Sequence, residues 1–241
     1  MLSKIKDAMK KIPFFMGCYN LYYKIRFGRR INRKKRYFHE ESETLLKKFS
    51  DVLNDSGIVF WLEFGTLLGY YREHDFIKHD DDLDVGLYLS DAEKARECLT
   101  RNGFKLVRAF RAEDGGLEES YRYMHTTIDL FYFWVNVENP SVQYAYSFKS
   151  PVFPVKRKHL NKELKMTVRR NTIPNNPVEK ATFKGCDVYV PKETDKHLRF
   201  LYGKDFMIPD PKFNRDDHED LIQALPYDEK PSVGVFYELP L

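Results

Sequence analysis

The chain of 241 residues contains only three cysteines, 12 glycines and 12 prolines, the residues that are abundant in disulfide scaffolds and in collagen-like chains. Cys18, Cys98 and Cys186 have no metal or redox spacing, which excludes a disulfide scaffold and favours a reducing, cytoplasmic location. The modest glycine and proline content excludes a collagen-like or low-complexity chain. No stretch approaches the roughly 20 consecutive apolar residues that cross a bilayer. With 42% apolar and 15% aromatic residues, the composition predicts a soluble globular protein with a sizeable core.

Acidic residues are nearly absent from the first part of the chain. Residues 1–36 hold twelve Lys or Arg and one acid, Asp7, whereas residues 37–241 hold 28 bases and 35 acids. We therefore predict a basic N-terminal helical arm over residues 1–36 and a separate, mildly acidic domain over residues 37–241. Such an arm fits peripheral contact with an anionic membrane, because its aromatic residues are flanked by Lys and Arg. A nucleic-acid contact, a solvated helical extension and an oligomer contact are the alternatives.

Hydrophobic periodicity predicts helices and strands that alternate along the chain. Residues 136–176 give no clear pattern, and the tail after Pro209 is expected to be irregular. The order of elements predicts an α/β (α+β) domain in which a mixed β-sheet is flanked by helices, with no second domain boundary. The predicted helices are at 38–53, 67–72, between Ser90 and Asn102, and at 193–201, and the predicted strands are at 58–62, 83–89, 104–110, 121–125 and 127–134.

Asp80, Asp81, Asp82 and Asp84 place four carboxylates within five positions. Like charges this close oppose folding unless a cation lies among them. In an extended chain the even-numbered acids share one face, while the apolar residues between them face the core. Carboxylate oxygens suit a hard divalent cation, Mg²⁺ or else Mn²⁺. A solvated acidic loop is the plain alternative, and a calcium-binding hand is excluded because Val85 stands where that loop requires glycine.

Three further residues or pairs fit a phosphate substrate beside such a cation. Gly65-Thr66 follows an apolar strand and opens a short helix, where backbone N–H groups can approach a phosphate. Asp129 is a lone acid in an apolar strand, so it needs a partner: it would ligate the metal, accept a proton from the attacking hydroxyl, or pair with an arginine. Arg72 would contact a phosphate oxygen, or else point outward from a surface helix.

Several separated motifs resemble, in their order, those of the LicD/fukutin family of the nucleotidyltransferase superfold. The first is Gly65-Thr-Leu-Leu-Gly-Tyr-Tyr-Arg72, followed by His79-Asp-Asp-Asp-Leu-Asp84. The second is Ile128-Asp-Leu-Phe131, and the third runs from Val188-Tyr-Val-Pro-Lys192 to Tyr202-Gly-Lys-Asp-Phe-Met-Ile-Pro209. The resemblance covers about residues 38–212. It departs from the family at Lys78-His79, where Pro-Trp is frequent.

The resemblance implies a nucleotidyltransferase-like domain that transfers a phospho-alcohol, phosphocholine-like or a polyol phosphate, from a CDP-linked donor. The acceptor would be a hydroxyl of a glycan or of a lipid-linked oligosaccharide in surface polysaccharide biosynthesis, and CMP would be released. By position, Asp82, Asp84 and Asp129 would be the catalytic carboxylates and hold Mg²⁺. Gly65, Thr66, Arg72 and Asp80 would then lie at the donor phosphates.

Two other functional classes remain open from the sequence. A glycosyltransferase that uses an Asp-x-Asp motif on a nucleotide-sugar would also need carboxylates and a metal. Such enzymes usually place the motif after a longer nucleotide-binding unit than the one that precedes Asp82. A non-enzymatic protein would use the basic arm to bind nucleic acid, but residues 37–241 are net acidic and contain no recognition motif, so we expect no nucleic-acid partner. We expect a cytoplasmic protein, in peripheral contact with the inner face of the membrane if the arm is an anchor.

Overall fold

The structure, a computed structural model, describes residues 13–152, 155–210, 223–224 and 232–239. For residues 13–27, 29, 30, 223 and 224 it describes the secondary structure and not the side chains. The aromatic side chains expected to anchor the arm, and residues 1–12, therefore lie outside the described residues. Among the described residues, no helix has the length and apolar character needed to cross a membrane.

The described chain contains four α-helices and twelve strands. The helices are α1 (Pro13–Asp55), α2 (Phe64–Leu68), α3 (Ala92–Arg101) and α4 (Thr194–Tyr202), and a π-helical turn (Gly69–Glu73) directly follows α2. The strands are β1 (Phe60–Leu62), β2 (Asp82–Tyr88), β3 (Lys105–Ala112), β4 (Leu117–Tyr123), β5 (Thr126–Val135), β6 (Val142–Lys149), β7 (Glu163–Lys165), β8 (Thr167–Pro174), β9 (Val178–Phe183), β10 (Cys186–Pro191), β11 (Gln223–Ala224) and β12 (Ser232–Phe236).

The strands form a mixed sheet in the order β7-β12-β3-β4-β5-β2-β1-β10-β9. The central pair β2 and β5 is parallel, as is the pair β1 and β10, and the other pairings along this path are antiparallel. Strand β5 continues past this sheet and pairs through Trp134 and Val135 with β6, which in turn pairs with β8. The long central strand therefore connects the main sheet to a smaller one that branches from its end.

Helices α1 and α3 cover one face of the main sheet. The alternation of β2 directs Leu83, Val85 and Leu87 to that face, where all three are fully buried. Residues at helical spacing on α1 and α3 pack against them, including Leu45, Phe49 and Leu99. The period of two in the strand and of 3.6 in the helices thus produces one apolar layer, and burial of this layer is the main source of stability. It also fixes β2 so that its acidic side chains point to the opposite face.

The opposite face of the sheet has a smaller aromatic core beside the acidic residues. The Trp61 ring lies flat over Gly86, where a Cβ atom would come 2.2 Å from the indole. Trp61 also packs on Phe133, with ring centroids 5.2 Å apart, and Ala145 and Ile173 of the smaller sheet complete the cluster. Only glycine allows this close approach of ring and strand.

The predicted fold class and the predicted elements from residue 38 to 201 are confirmed in type. Three regions differ from expectation. Residues 177–192, for which no element was predicted, contain β9 and β10. Residues 136–176 contain β6, β7 and β8, and the tail that was expected to be irregular contains β12, which pairs with β3 in register Val233 with Arg111. Helix α1 passes through residue 36 without a break, so the predicted boundary between arm and domain lies inside one helix.

Candidate active site

The acidic residues meet at the centre of the sheet because β2 and β5 are parallel neighbours. Their register pairs Asp84 with Asp129 and Asp82 with Thr127. Asp129 is 6% exposed, whereas Asp82 and Asp84 are half-buried. Residues paired across neighbouring strands point to the same face of the sheet, so the predicted catalytic carboxylates Asp82, Asp84 and Asp129 share one face.

The Gly65 turn lies directly against these carboxylates. The Gly65 N–H donates a hydrogen bond to Asp84 Oδ2 at 3.2 Å. A Cβ atom on Gly65 would lie 3.0 Å from Asp80 Oδ2 and 3.3 Å from Asp84 Oδ2. Thr66 is turned inward, and its hydroxyl oxygen accepts the Asp84 N–H at 2.8 Å. The structure therefore brings together four of the predicted site residues, Gly65, Thr66, Asp80 and Asp84, and it uses Thr66 to fix strand β2.

A buried polar network holds the segment that precedes this turn. Glu63 is fully buried; its carboxylate accepts Trp61 Nε1–H at 2.7 Å and pairs with His197 Nε2 of α4 at 2.8 Å. The Glu63 backbone N–H donates to the Asp84 carbonyl at 3.1 Å. Phe64, the next residue, has a φ of +43°, in the left-handed region that costs energy for a residue with a Cβ. These contacts hold a strained junction in the one conformation that places Gly65 beside the acids.

Asp129 has an arginine partner, which is the alternative that its sequence left open. Arg108 Nη2 donates to Asp129 Oδ2, and the Ser120 hydroxyl donates to Asp129 Oδ1. Arg108 Nη2 also lies 3.5 Å from Glu118 Oε1. Arg108 comes from β3, Glu118 and Ser120 from β4, and all three side chains reach the same face as Asp129.

Burial and mutual repulsion raise the pKa values of the clustered carboxylic acids. Burial is the largest cause at each residue, although part of the surface of Asp80, Asp82 and Asp84 remains open. Burial, then the charges of Asp129 and Asp81, raise the pKa of Asp82 to about 8. Burial and the Asp81 charge raise the pKa of Asp80 to about 6. Burial, followed by the charges of Asp82 and Asp129, raises the pKa of Asp84 well above its usual value. The cluster thus lacks enough positive charge for all of its carboxylates to ionise.

The donor set fits a hard divalent cation in its chemistry, because carboxylate oxygens crowd one face and are short of positive charge. The side chains as they stand do not converge on a point. Among the described residues, no group of three or more His, Cys, Asp or Glu is arranged to hold a metal ion. Both oxygens of Asp129 are engaged by Arg108 and Ser120, whereas Asp84 Oδ2 accepts only the Gly65 N–H among the contacts described above.

Arg72 and Asp80 lie at the rim of the cluster. Only 9% of the Arg72 side chain is exposed; its Nη1 donates to the Phe206 carbonyl at 3.0 Å and its Nε donates to Glu73 at 2.8 Å. The Arg72 charge acts on Asp80 and opposes the rise in the pKa of that carboxyl group. Arg72 thus joins the π-helical turn to the segment after α4, at the same edge as the acids.

Helix α1 also reaches this edge. Lys34 Nζ lies 3.4 Å from Asp81 Oδ2, and His39 Nε2 is 2.7 Å from the Lys78 carbonyl oxygen. Lys34 belongs to the segment that was predicted to be a separate arm. The described end of that segment therefore contacts the acidic loop directly.

Sequence reasoning did not find Arg108, Glu118 or Ser120. Arg108 alternates with apolar neighbours in β3, and that pattern alone is typical of a solvent-facing strand position. Glu118 and Ser120 flank Glu119 in β4, so this polar run shows no alternation from which a site could be predicted. Their role becomes visible only when β3 and β4 are paired as a hairpin and β4 is placed beside β5. The signal would have been the in-phase pairing of Arg108 with Ser120 and of Ser120 with Asp129.

Comparison with known proteins agrees with the geometry. The family model described as LicD/FKTN/FKRP, nucleotidyltransferase domain, matches residues 57–193, which are more than half of the chain. The chain belongs to this family. The match includes the Gly65 turn, the acidic strand β2, Arg108 and Asp129 of this LicD-family domain, and it confirms the resemblance carried by the motifs. Membership fits a phosphotransferase enzyme with a mixed α/β nucleotidyltransferase-like fold.

Individual relatives of the LicD-family domain are longer proteins. Ribitol-5-phosphate transferase FKTN of Homo sapiens is 27% identical over 177 residues, which cover 71% of this chain and 34% of that protein. Ribitol 5-phosphate transferase FKRP of Mus musculus is 50% identical over 91 residues, or 34% of this chain and 18% of that protein. The chain thus spans about a third of the length of these curated relatives, or less. Among solved structures, lincosamide antibiotic adenylyltransferase LnuA with lincomycin bound aligns at 11% identity and a TM-score of 0.40, over 71% of this chain and 88% of that chain.

Proposed function

We propose that this LicD-family domain transfers a phospho-alcohol, phosphocholine-like or a polyol phosphate, from a CDP-linked donor to a glycan hydroxyl and releases CMP. The acceptor is a glycan or a lipid-linked oligosaccharide of surface polysaccharide biosynthesis. One observation carries the proposal: Asp84 and Asp129 are paired across parallel strands, and Gly65 N–H lies against Asp84. Family membership and the relatives named as ribitol-phosphate transferases support this reaction class.

The residues around Gly65 would bind the donor. Without a side chain at Gly65, a phosphate can come close to the backbone beside Asp80 and Asp84. Arg72 and Asp80 lie at the same rim, where Arg72 would contact a phosphate oxygen. Thr66 supports this part of the site by holding the backbone of Asp84.

Asp82 and Asp84 would hold Mg²⁺, or Mn²⁺ in its place, with Asp129 as the third carboxylate. Such an ion neutralises charge on phosphate oxygens and favours in-line displacement. Asp129 lies across from Asp84 and would orient the acceptor hydroxyl and take its proton. The aromatic cluster around Trp61 and Phe133 packs on the same face of the sheet, beside these acids.

A donor screen tests the proposal. CDP-choline, CDP-ribitol and CDP-glycerol would each be incubated with the protein and a glycan acceptor, with and without Mg²⁺, and CMP release would be measured. We expect CMP release that requires both the cation and one of these donors, and that is lost in Asp84→Asn. The matched control is Asp51→Asn, an exposed acid on α1 paired with Lys47, which should turn over normally. Consumption of UDP- or GDP-sugars in place of CDP-alcohols would instead indicate a glycosyltransferase.

We further propose a cytoplasmic location, with peripheral contact between residues 1–36 and the inner face of the membrane. In the described part of this segment, Ile31 is 46% exposed and Arg33 and Arg36 are exposed, which suits an anionic surface. Removal of residues 1–30, combined with Arg33→Gln and Arg36→Gln, would keep the contact of Lys34 with Asp81. We expect this shortened protein to lose binding to vesicles that contain anionic lipid while it keeps CMP release with a soluble acceptor. Unchanged vesicle binding would contradict the anchor.

A further inference from the structure

Arg108 lies in a straight cross-strand row with the catalytic carboxylates. Register pairs Asp84 with Asp129, Asp129 with Ser120, and Ser120 with Arg108, across strands β2, β5, β4 and β3. The side chains of this row point to the same face of the sheet. Arg108 therefore approaches Asp129 from the side opposite to Asp84, and it passes over the small side chain of Ser120 to do so.

The contacts of Arg108 are shared between two acids. Its Nη2 donates to Asp129 Oδ2 and lies 3.5 Å from Glu118 Oε1, while its Nε is buried and has no hydrogen-bond partner among the described residues. The guanidinium also lies over the Phe110 ring, 5.5 Å from the centroid. One planar cation thus has a close partner, a second partner within a small movement, and a donor that is not satisfied. A small movement of the guanidinium would therefore exchange Asp129 for Glu118 as its closest partner.

We propose that Arg108 is a positioning residue that supplies the positive charge to Asp129 in the cation-free enzyme. It holds Asp129 until a divalent cation binds at Asp82 and Asp84, and it then turns to Glu118 as Asp129 joins the cation. The inference rests on the proposed function for the presence of that cation. It explains why three carboxylates share a face although no described group of three converges on a metal position.

The consequence is competition between Arg108 and the cation for Asp129. A positive side chain beside the site repels a divalent ion, and its removal leaves the cluster more negative. Removal of Arg108 should therefore strengthen cation binding. If the Arg108–Asp129 pair were purely structural, its loss would lower the stability of the protein and would not raise its affinity for the cation.

Mn²⁺ binding, measured by electron paramagnetic resonance on the full-length protein, separates these cases. We expect Arg108→Gln to bind Mn²⁺ about tenfold more tightly than the wild type, because a repelling charge is removed, and Arg108→Lys, which keeps the charge, to stay close to the wild type. The matched control is Arg96→Gln, which breaks a comparable pair with buried Glu119 on the other face and should leave Mn²⁺ affinity unchanged. Equal or weaker binding in Arg108→Gln would overturn the proposal.

A second measurement is made on the wild-type protein and needs only the conservative variant Arg108→Lys for assignment. In wild-type protein labelled with ¹⁵N at arginine, addition of Mg²⁺ should shift the side-chain resonance of Arg108, assigned with Arg108→Lys, and leave that of Arg96 in place. An Arg108 resonance that does not respond to saturating Mg²⁺ would overturn the inference and leave the donor screen unaffected. Failure of the wild type to bind any divalent cation would instead overturn both this inference and the metal dependence of the proposed function.

Discussion

Glu118 and Glu119 are neighbours on β4, yet they point to opposite faces of the sheet and meet opposite surroundings. Glu119 is fully buried, and its carboxylate accepts hydrogen bonds from Arg96 and from the Tyr121 and Tyr132 hydroxyls. Glu118 is also buried but faces Asp129, and it shares Arg108 with that acid. Burial, opposed by Arg108 and reinforced by Asp129, raises the pKa of Glu118 to about 7.

The two faces of the sheet differ in whether their buried charges have partners. On the α1 face each charge of the Glu119 network has its partners, so the network contributes stability and specificity. On the site face the acids outnumber the positive groups that reach them, so ionisation there costs stability. An unsatisfied buried cluster is retained where a ligand completes it.

The largest expected effect is the loss of turnover in Asp82→Asn. The substitution would remove a proposed cation ligand, so we expect CMP release to fall by at least about 10³-fold. Because burial and neighbouring acids raise the pKa of Asp82 to about 8, a neutral side chain of the same shape should not lower the free energy of unfolding. Steady-state kinetics and urea denaturation measure the two quantities. Retained turnover, or a clearly less stable protein, would contradict the functional role of this face.

The next effect compares Glu119→Gln with Glu118→Gln. Loss of the Glu119 charge leaves Arg96 without its counter-ion, and we expect the free energy of unfolding to fall by about 2–3 kcal/mol. Glu118→Gln should change it by less than about 1 kcal/mol, because the ionised form is already disfavoured there. Urea denaturation at neutral pH checks both variants. Equal losses in the pair would remove the distinction between the two faces.

A smaller effect is expected from Gly65→Ala. The added methyl group would lie 3.0 Å from Asp80 Oδ2, so the acids must shift by a few tenths of an ångström. Turnover should fall about ten- to hundredfold, because reacting groups tolerate little misplacement, whereas stability should hold since Gly65 lies within α2. The control is Gly28→Ala in α1, where no atom lies within 4 Å of the new carbon. Kinetics of both variants give the test, and equal rates would exclude a donor site at Gly65.

The smallest effect is expected at the rim. Lys34 and Asp81 form a partly exposed ion pair, and such pairs contribute about 0–1 kcal/mol. We expect Lys34→Ala to change the free energy of unfolding by no more than this amount. A loss comparable with that of Glu119→Gln would show that α1 is fixed to the acidic loop far more firmly than a rim ion pair allows.

Local patterns in the sequence were sufficient for part of this site. The alternation of acids and apolar residues in β2 and the Gly65-Thr66 turn each depend on neighbours within a few positions, so their elements could be predicted. The Asp129 strand was also predicted, and an arginine partner was left open as an alternative. The identity of that partner depends on β3 and β4, whose pairing is set by the whole sheet. The strands within residues 136–176 and β12 were missed for the same reason, since they form through contacts with distant segments. The hairpin of β9 and β10 was also missed, and it joins the sheet through the distant strand β1.

Helix α1 runs for 43 residues from the basic segment into the core. Because each helical residue advances the chain by about 1.5 Å and turns it by about 100°, one residue inserted between Ile31 and Tyr37 would rotate everything before it by more than a quarter of a circle. The direction in which the basic segment presents its side chains therefore depends on its rotation about the axis of α1, the helix whose Lys34 contacts Asp81. A membrane bound by the basic segment would therefore have a fixed orientation relative to the acidic loop around Asp81.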